Sequence, residues 1–212
     1  KSDGQIAEFD SFNFKYKGNI NNYDAIDGNV ELALDELSFL MDSETLLDKA
    51  NVKMIAPLNA NLSTMNVEFG ASQFALNNIF IDIIGKASMP SDDINVDLNI
   101  KTNTLIVEEL VELIPVSMRE ELLDGIDVKG ELQLEAKIEG VYNENSMPVV
   151  DANIEYNKGM ISLAEMLPYP ITNFSTSAKA HLDLNDKSDV YIKHLNANMS
   201  KSSISFSGTI KD

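Results

Sequence analysis

The stretch Ile126-Asp127-Val128-Lys129-Gly130-Glu131-Leu132-Gln133-Leu134-Glu135-Ala136-Lys137-Ile138-Glu139-Gly140 decides the fold. Its even-numbered positions are all apolar or glycine, and its odd-numbered positions are all charged or amide. Successive side chains of a β-strand point to opposite faces, so the pattern predicts one long strand with an apolar and a polar face. The helical period of about 3.6 residues would scatter these charges around the whole cylinder. At roughly 3.3 Å per residue the strand would reach about 50 Å, more than the width of a compact domain.

The same alternation recurs along most of the chain and predicts a mainly β fold. Apolar residues take every second position, with local shifts of parity, in the segments 12–20, 30–34, 52–62, 74–85, 94–100, 150–156, 178–184, 190–199 and 204–210. About ten such strands favour a long antiparallel sheet, which could be an open curled sheet with a β-groove, a sandwich or a barrel. Pro57 indicates an edge or a bulge, the parity shift at Asn77-Asn78 indicates a bulge, and Lys158-Gly159 indicates a turn.

One region, at about residues 104–124, predicts a two-helix insert. Its first half carries apolar residues at helical spacing, namely Leu105, Ile106, Leu110, Leu113 and Ile114. Ser117-Met118-Arg119-Glu120 has the form of a capping box, which predicts a second helix that ends at Gly125. Helices this short could close one end of a sheet but could not cover all of it. The segment 42–49 fits a short helix capped by Ser43 or a strand equally well.

The charge of the chain disfavours two classes of partner. Its 212 residues include 16 Lys and Arg against 34 Asp and Glu, a net charge of -18. Such a surface repels nucleic-acid phosphates and anionic lipid headgroups. The absence of cysteine excludes disulfides, cysteine-ligated zinc sites and cysteine nucleophiles.

The sequence is interpreted as a single β domain over residues 1–212 that is an excised segment of a larger protein. It has no initiator methionine, and Lys1-Ser2-Asp3-Gly4 does not resemble a signal peptide. No apolar run approaches the roughly twenty residues needed to cross a bilayer.

The sequence contains no complete catalytic or metal-binding pattern, which favours a protein that is not an enzyme and needs no cofactor or metal. His181 falls on a polar strand face and His194 at a shift of parity, where solvated side chains are expected. Asp93-Ile94-Asn95-Val96-Asp97 matches half of a calcium loop, but Leu98 stands where that loop requires glycine. No phosphate loop, nucleophile elbow or HExxH motif occurs. A carboxylate hydrolase would need two acidic residues that converge in a cleft, which a sequence cannot show.

The apolar face of the predicted sheet has two interpretations. It could be an ordinary core, in which sheet packs on sheet in a closed sandwich that serves as a scaffold or adhesion module without cargo. Alternatively, the sheet could form a trough whose lining is left for an apolar ligand such as an acyl chain. Seven residues of the central strand and its neighbour would then line the groove: Ile126, Val128, Leu132, Leu134, Ile138, Val150 and Ile154.

The arrangement of strands, glycines and prolines resembles the AsmA family of Gram-negative envelope proteins, and especially the large AsmA-like proteins of Bacteroidetes type. The resemblance covers about residues 72–212 and rests on a series of short segments: Leu105 to Ile114-Pro115, Ile126 to Leu132, Ile138-Glu139-Gly140-Val141-Tyr142, Met147-Pro148, Asn157-Lys158-Gly159-Met160 and Leu167-Pro168. It includes no catalytic signature.

The resemblance implies a periplasmic protein tethered to the inner membrane through an N-terminal helix that is absent from this segment. Its relatives TamB and YhdP build long β-grooves that are thought to carry phospholipid or to support outer-membrane assembly. By this likeness the partner would be a phospholipid or another acyl lipid, and the function would be envelope biogenesis or lipid transport. The segment is too short to bridge a periplasm, so it would form only part of a conduit.

Overall fold

The computed structural model describes residues 5–21, 24–41, 44–91, 93–164 and 166–211, which form one long antiparallel sheet with two short inserted helices. The strands are β1 Gln5–Glu8, β2 Ser11–Asn21, β3 Ala25–Met41, β4 Glu44–Asn61, β5 Asn66–Leu76, β6 Ile79–Ser88, β7 Ile94–Thr102, β8 Leu105–Ile106, β9 Ile126–Tyr142, β10 Val149–Leu163, β11 Ile171–Leu182, β12 Asp189–Met199 and β13 Ser202–Lys211. The helices are α1 Val107–Glu112 and α2 Val116–Leu123.

Strands that follow one another in the chain are, with few exceptions, neighbours in the sheet. The strand order is β1-β3-β4-β5-β6-β7-β9-β10-β11-β12-β13, with β2 also paired to β3 and β8 to β9. The sheet does not close into a barrel, and the described residues form no second sheet to make a sandwich. The predicted long antiparallel sheet with a two-helix insert is therefore confirmed, and of the three alternatives the structure shows the open sheet, with thirteen strands rather than about ten.

The quoted central stretch forms a single strand, as its alternation predicts. Strand β9 extends over 17 residues, between β7 on one side and β10 on the other. Its pairing with β10 keeps one register from Val149↔Glu139 to Asn157↔Glu131. Because side chains alternate along a strand, the apolar residues at even positions from Ile126 to Ile138 lie on one face of β9, whereas Val141 lies on the other.

Two local predictions are wrong because one local sequence signal has more than one structural cause. Asn77-Asn78 forms the turn between β5 and β6 rather than a bulge within one strand. Lys158-Gly159 is a bulge inside the continuous strand β10 rather than a turn, and Lys158 has φ of 53°. Pro57 lies in β4, an interior strand, beside a shift of register with β5, so the predicted bulge is confirmed.

The helical insert is confirmed in place but not in its limits. Leu105 and Ile106 pair with β9 as strand β8, and the first helix begins only at Val107. The second helix begins at Val116 with Pro115 at the N-cap position, so the predicted capping box is wrong. It ends at Leu123, just before Gly125, whose positive φ of 68° agrees with the predicted stop. Residues 44–49 belong to β4, so the strand alternative holds for the described part of segment 42–49.

Two tyrosines on the apolar face pack over glycines at places where neighbouring strands lie close together. The Tyr156 ring covers Gly130 and Gly159 beside the β10 bulge, and its hydroxyl donates to the Lys129 carbonyl at 2.7 Å. Partial burial, and secondarily the nearby Glu108, raise the pKa of the Tyr156 phenol above its usual range. On β2, the Tyr16 ring covers Gly28 of the paired strand β3, and the Tyr16 hydroxyl donates to the Asn19 carbonyl at 2.8 Å.

The chain builds almost no closed core. Its accessible surface is 14115 Å², against about 9,700 Å² expected for a compact monomer of 23.4 kDa. Among the described residues no large side chain is fully buried, and most of the buried apolar residues are alanines. Ile79, Leu105 and Val107 are the larger apolar side chains that are buried. The excess surface is that of a single layer with two exposed faces.

Candidate functional site: an uncovered apolar face

The register of the strands assembles one apolar face across the whole sheet. Residues directly opposite each other in antiparallel strands point to the same side. One row runs Leu98↔Ile138↔Val150↔Leu182 across β7, β9, β10 and β11. The next row runs Ile100↔Ala136↔Ala152↔Ala180 across the same four strands. We call this side of the sheet the apolar face and the opposite side the polar face.

All seven residues predicted to line a groove lie on the apolar face. Five of them form one cluster, in which Leu134 stands opposite Ile154, Ile138 opposite Val150, and Leu132 opposite Tyr156. The other two, Val128 and Ile126, lie beyond the β10 bulge, opposite Ile161 and Leu163. All except Ile126 are half-buried, and Ile126 is 36% exposed.

The apolar face extends far beyond the two strands that the sequence interpretation used. On β2 and β3 it includes Phe12 opposite Leu34 and Phe14 opposite Leu32. On β12 and β13 it includes Leu195 opposite Phe206 and Val190 opposite Ile210. The period-two alternation of these strands was visible in the sequence. Sequence reasoning missed the pairing registers, which place the apolar residues of each strand opposite those of the next, so that they all lie on one face.

Exposure along the apolar face rises from the middle of the sheet to its edges. Phe14 on β2 is 55% exposed and Ile210 on β13 is 59% exposed, whereas Leu134 and Ile138 are half-buried. In a sandwich, a second layer would bury central residues such as these almost completely. No second layer of described residues covers Leu134 and Ile138, so adjacent side chains on the apolar face provide most of the burial that these two residues have.

The helical insert covers the apolar face only at one end. The Gly130 amide donates to Glu108 Oε2 at 3.2 Å, which ties α1 to β9. A cleft of about 690 Å³ separates the α1–α2 connection from β4 and β6, with Leu113 and Ile114 on one side and Ala50 and Ile79 on the other. The buried residues Leu105, Val107, Ile79 and Ala50 lie at this end. Helix α1 therefore packs on this end of the sheet, and the described residues leave the rest of the apolar face uncovered.

The polar face carries exposed ion pairs. Lys101 Nζ lies 2.6 Å from Glu135 Oε1, and Lys137 pairs with Glu139. These hydrogen bonds to carboxylates raise the pKa of both lysines. A depression of about 820 Å³ crosses this face between Ile55 and Asp151. Exposed pairs of this kind contribute little to stability.

The two histidines belong to no metal-binding cluster in the part of the chain that the structure describes. His181 Nδ1 lies 2.7 Å from Asp151 Oδ1 on the polar face. That hydrogen bond is the main cause of the raised pKa of His181, and the charges of Asp151, Asp189 and Asp183 act in the same direction. Among the described residues no three His, Asp or Glu side chains are grouped so that they could hold a metal ion. Asp97 of the half calcium loop belongs to strand β7.

Comparison with family models found no match for this chain, and comparisons with curated proteins and with solved structures found none either. Neither described helix is long and apolar enough to cross a membrane.

Proposed function

We propose that this chain is a non-enzymatic, AsmA-like protein of the Gram-negative envelope whose apolar face holds the acyl chains of a lipid. One observation carries the proposal: the apolar face crosses the whole sheet, and the described residues supply no layer that covers its centre. An apolar surface this continuous on a soluble layer is typical of a binding surface rather than of scattered exposed residues. The likeness in strands, glycines and prolines supplies the envelope setting.

The contact that the apolar face offers favours a two-chain lipid over a single acyl chain. Burial of hydrocarbon stabilises a complex by about 0.8 kcal/mol per methylene group. A chain of about sixteen carbons that lies on an open face and buries half of its surface would gain roughly 6 kcal/mol. The cost of association, about 4 kcal/mol or more, offsets most of that gain, so a single chain would be held only weakly. A two-chain phospholipid would be held more tightly.

The charge of the protein favours some headgroups over others. Carboxylates exceed basic residues by 18, so an anionic headgroup near the sheet is repelled. A zwitterionic or uncharged headgroup meets no such barrier. Within the proposed setting the sheet would be one part of a periplasmic lipid conduit, tethered to the inner membrane through the rest of the parent protein.

Lipid extraction tests the proposal. The purified chain is incubated with vesicles of zwitterionic phospholipid, separated from them by gel filtration, and examined by native mass spectrometry and by organic extraction. We expect phospholipid to remain bound at a defined ratio. A chain that emerges free of acyl lipid would favour a scaffold without cargo and would refute the proposal.

A further inference from the structure

We propose that the cleft under the helical insert binds the headgroup of a lipid that carries a primary ammonium group, as phosphatidylethanolamine does, while the acyl chains lie on the apolar face. The inference rests on the proposed function, since it assigns the polar end of the same ligand. The two headgroups that it separates, primary and quaternary ammonium, have equal net charge in a zwitterionic phospholipid.

The floor of the cleft continues the apolar face. Ile79 at the start of β6 pairs with Leu76 of β5, and Leu76 pairs on its other side with Val52 of β4. Along β6 the alternate residues from 79 to 83 are all isoleucine. Ile83 pairs with Ile100, which belongs to a row of the apolar face described above. At roughly 3.3 Å per residue the cleft lies about 13 Å from that row, so one lipid can contact both.

The size and walls of the cleft suit an amphipathic ligand. Its volume of about 690 Å³ lies within the range of small-molecule sites, about 300 to 1,000 Å³. Ala50 and Ile79 line it from the sheet, and Leu113 and Ile114 line it from the connection between the two helices. Apolar walls with a few polar groups are the usual make-up of a ligand site.

Three carboxylates line the cleft without a basic partner. Glu109 and Glu112 belong to α1, and Asp48 belongs to β4. The described residues that line the cleft include no lysine, arginine or histidine, and no described residue forms an ion pair with any of the three. Glu109 is half-buried, so salt screens its charge less than that of an exposed carboxylate. The cleft therefore favours a cationic group.

The lining distinguishes a primary ammonium from a quaternary one. A primary ammonium has three N–H donors, which form short charge-assisted hydrogen bonds with carboxylates. A quaternary ammonium has no donor and is recognised by the faces of aromatic rings. No aromatic residue is among the described residues that line the cleft. Carboxylates without aromatic rings fit the headgroup that bears donors.

Two asparagines at the same cleft suit the phosphate of such a headgroup. Asn77 and Asn78 form the turn between β5 and β6 and line the cleft. Asn77 Oδ1 accepts a hydrogen bond from the Asn51 amide at 2.8 Å, and its Nδ2 group has no acceptor among the described residues. The turn thus offers donors for a phosphate, and α1 offers acceptors for an ammonium. This pairing of opposite needs matches a zwitterion.

Competition between two lipids with identical acyl chains tests the inference. The chain is incubated with vesicles of equal parts phosphatidylethanolamine and phosphatidylcholine, and the lipid retained after gel filtration is identified by mass spectrometry. We expect the parent chain to retain roughly fivefold more of the ethanolamine lipid. Glu109→Gln with Glu112→Gln keeps the shape of both side chains without their charge and should bring this ratio to about one.

A second double variant controls for net charge. Glu120→Gln with Glu121→Gln removes the same charge from exposed positions of α2 that do not line the cleft. It should keep the ratio of the parent chain. Equal retention of both lipids by the parent, an unchanged ratio in the cleft variant, or the same change in both variants would overturn the inference and leave the proposed function standing. Retention of neither lipid would overturn both.

Carbodiimide cross-linking locates the headgroup. The reagent activates a carboxylate, and a primary amine in contact with it displaces the activated oxygen to form an amide, which a choline headgroup cannot do. After digestion we expect the ethanolamine lipid to be attached at Glu109 or Glu112 and not at Glu120 or Glu121. Attachment confined to carboxylates outside the cleft would overturn the inference, even where the parent chain prefers the ethanolamine lipid.

Discussion

Gly85→Ala is expected to destabilise the sheet more than any other substitution of a glycine by alanine. Gly85 lies in β6 with φ of 145°, a conformation that side chains rarely adopt. A Cβ atom there would lie 2.0 Å from the Asp97 carbonyl oxygen and 2.9 Å from the Leu98 Cα, both on the paired strand β7. Backbone strain and displacement of the neighbouring strand together cost about 3 to 5 kcal/mol. That is a large fraction of the usual stability of a domain.

Gly208→Ala provides the matched control, because it adds the same methyl group at the edge strand β13. Its nearest neighbour is the tip of the Phe206 ring at 2.9 Å, which can rotate away. We expect a cost below about 1 kcal/mol. Urea unfolding followed by circular dichroism compares the two variants. Similar unfolding midpoints would show that β6 and β7 are not packed as closely as described.

Ile154→Asp is expected to abolish most acyl-lipid retention while leaving the chain folded. Ile154 stands between Leu134 on β9 and Ala178 on β11, at the centre of the apolar face. A carboxylate there places a charge and its hydration shell where an acyl chain would lie, which should lower lipid retention at least tenfold. Because no layer covers this position, water can hydrate the charge. The stability cost should therefore stay near 1 to 2 kcal/mol, the lost burial of the side chain.

Asn153→Asp adds the same charge to the polar face one residue earlier in β10. It should leave lipid retention unchanged and alter stability by less than about 1 kcal/mol, because Asn153 is exposed and stands opposite both Glu135 and Lys179. Retention is measured by lipid extraction after gel filtration, and stability by urea unfolding. If Ile154→Asp instead prevents folding, the site is a closed core. If that variant retains lipid as the parent chain does, the acyl chains do not lie on this face.

The sequence predicts the strands well because alternation is a local signal. Strand β9 follows directly from residues 126–140, and the shift of parity between Ile192 and Leu195 coincides with a register shift in β12. The errors occur where one local signal has two structural causes. Asn77 has φ of 53° in a tight turn, and Lys158 has the same φ in a bulge. Leu105 and Ile106 fit a helical period, yet their pairing with Leu132 and Glu131 makes them a strand.

Whether the apolar face is covered could not be predicted from alternation. Strands with the pattern of β9 occur both in sandwiches and in single-layer sheets, since the pattern reports only that one side is apolar. The number of layers depends on how distant strands pair, and here most strands pair with their neighbours in the chain. Because all of the described strands belong to one sheet, the short helical insert is the only described element that could cover the apolar face.

A pair of single-tryptophan variants tests most directly whether acyl chains lie on the apolar face. The natural chain contains no tryptophan, so Ile154→Trp and Asn153→Trp each place one fluorophore, on the apolar and the polar face respectively. Each variant is titrated with phospholipid whose acyl chains are brominated, since bromine quenches only the fluorophores that it contacts. We expect strong quenching of Ile154→Trp and little quenching of Asn153→Trp. Equal quenching of the two variants, or none in either, would contradict the claim that this open sheet holds acyl chains on its apolar face.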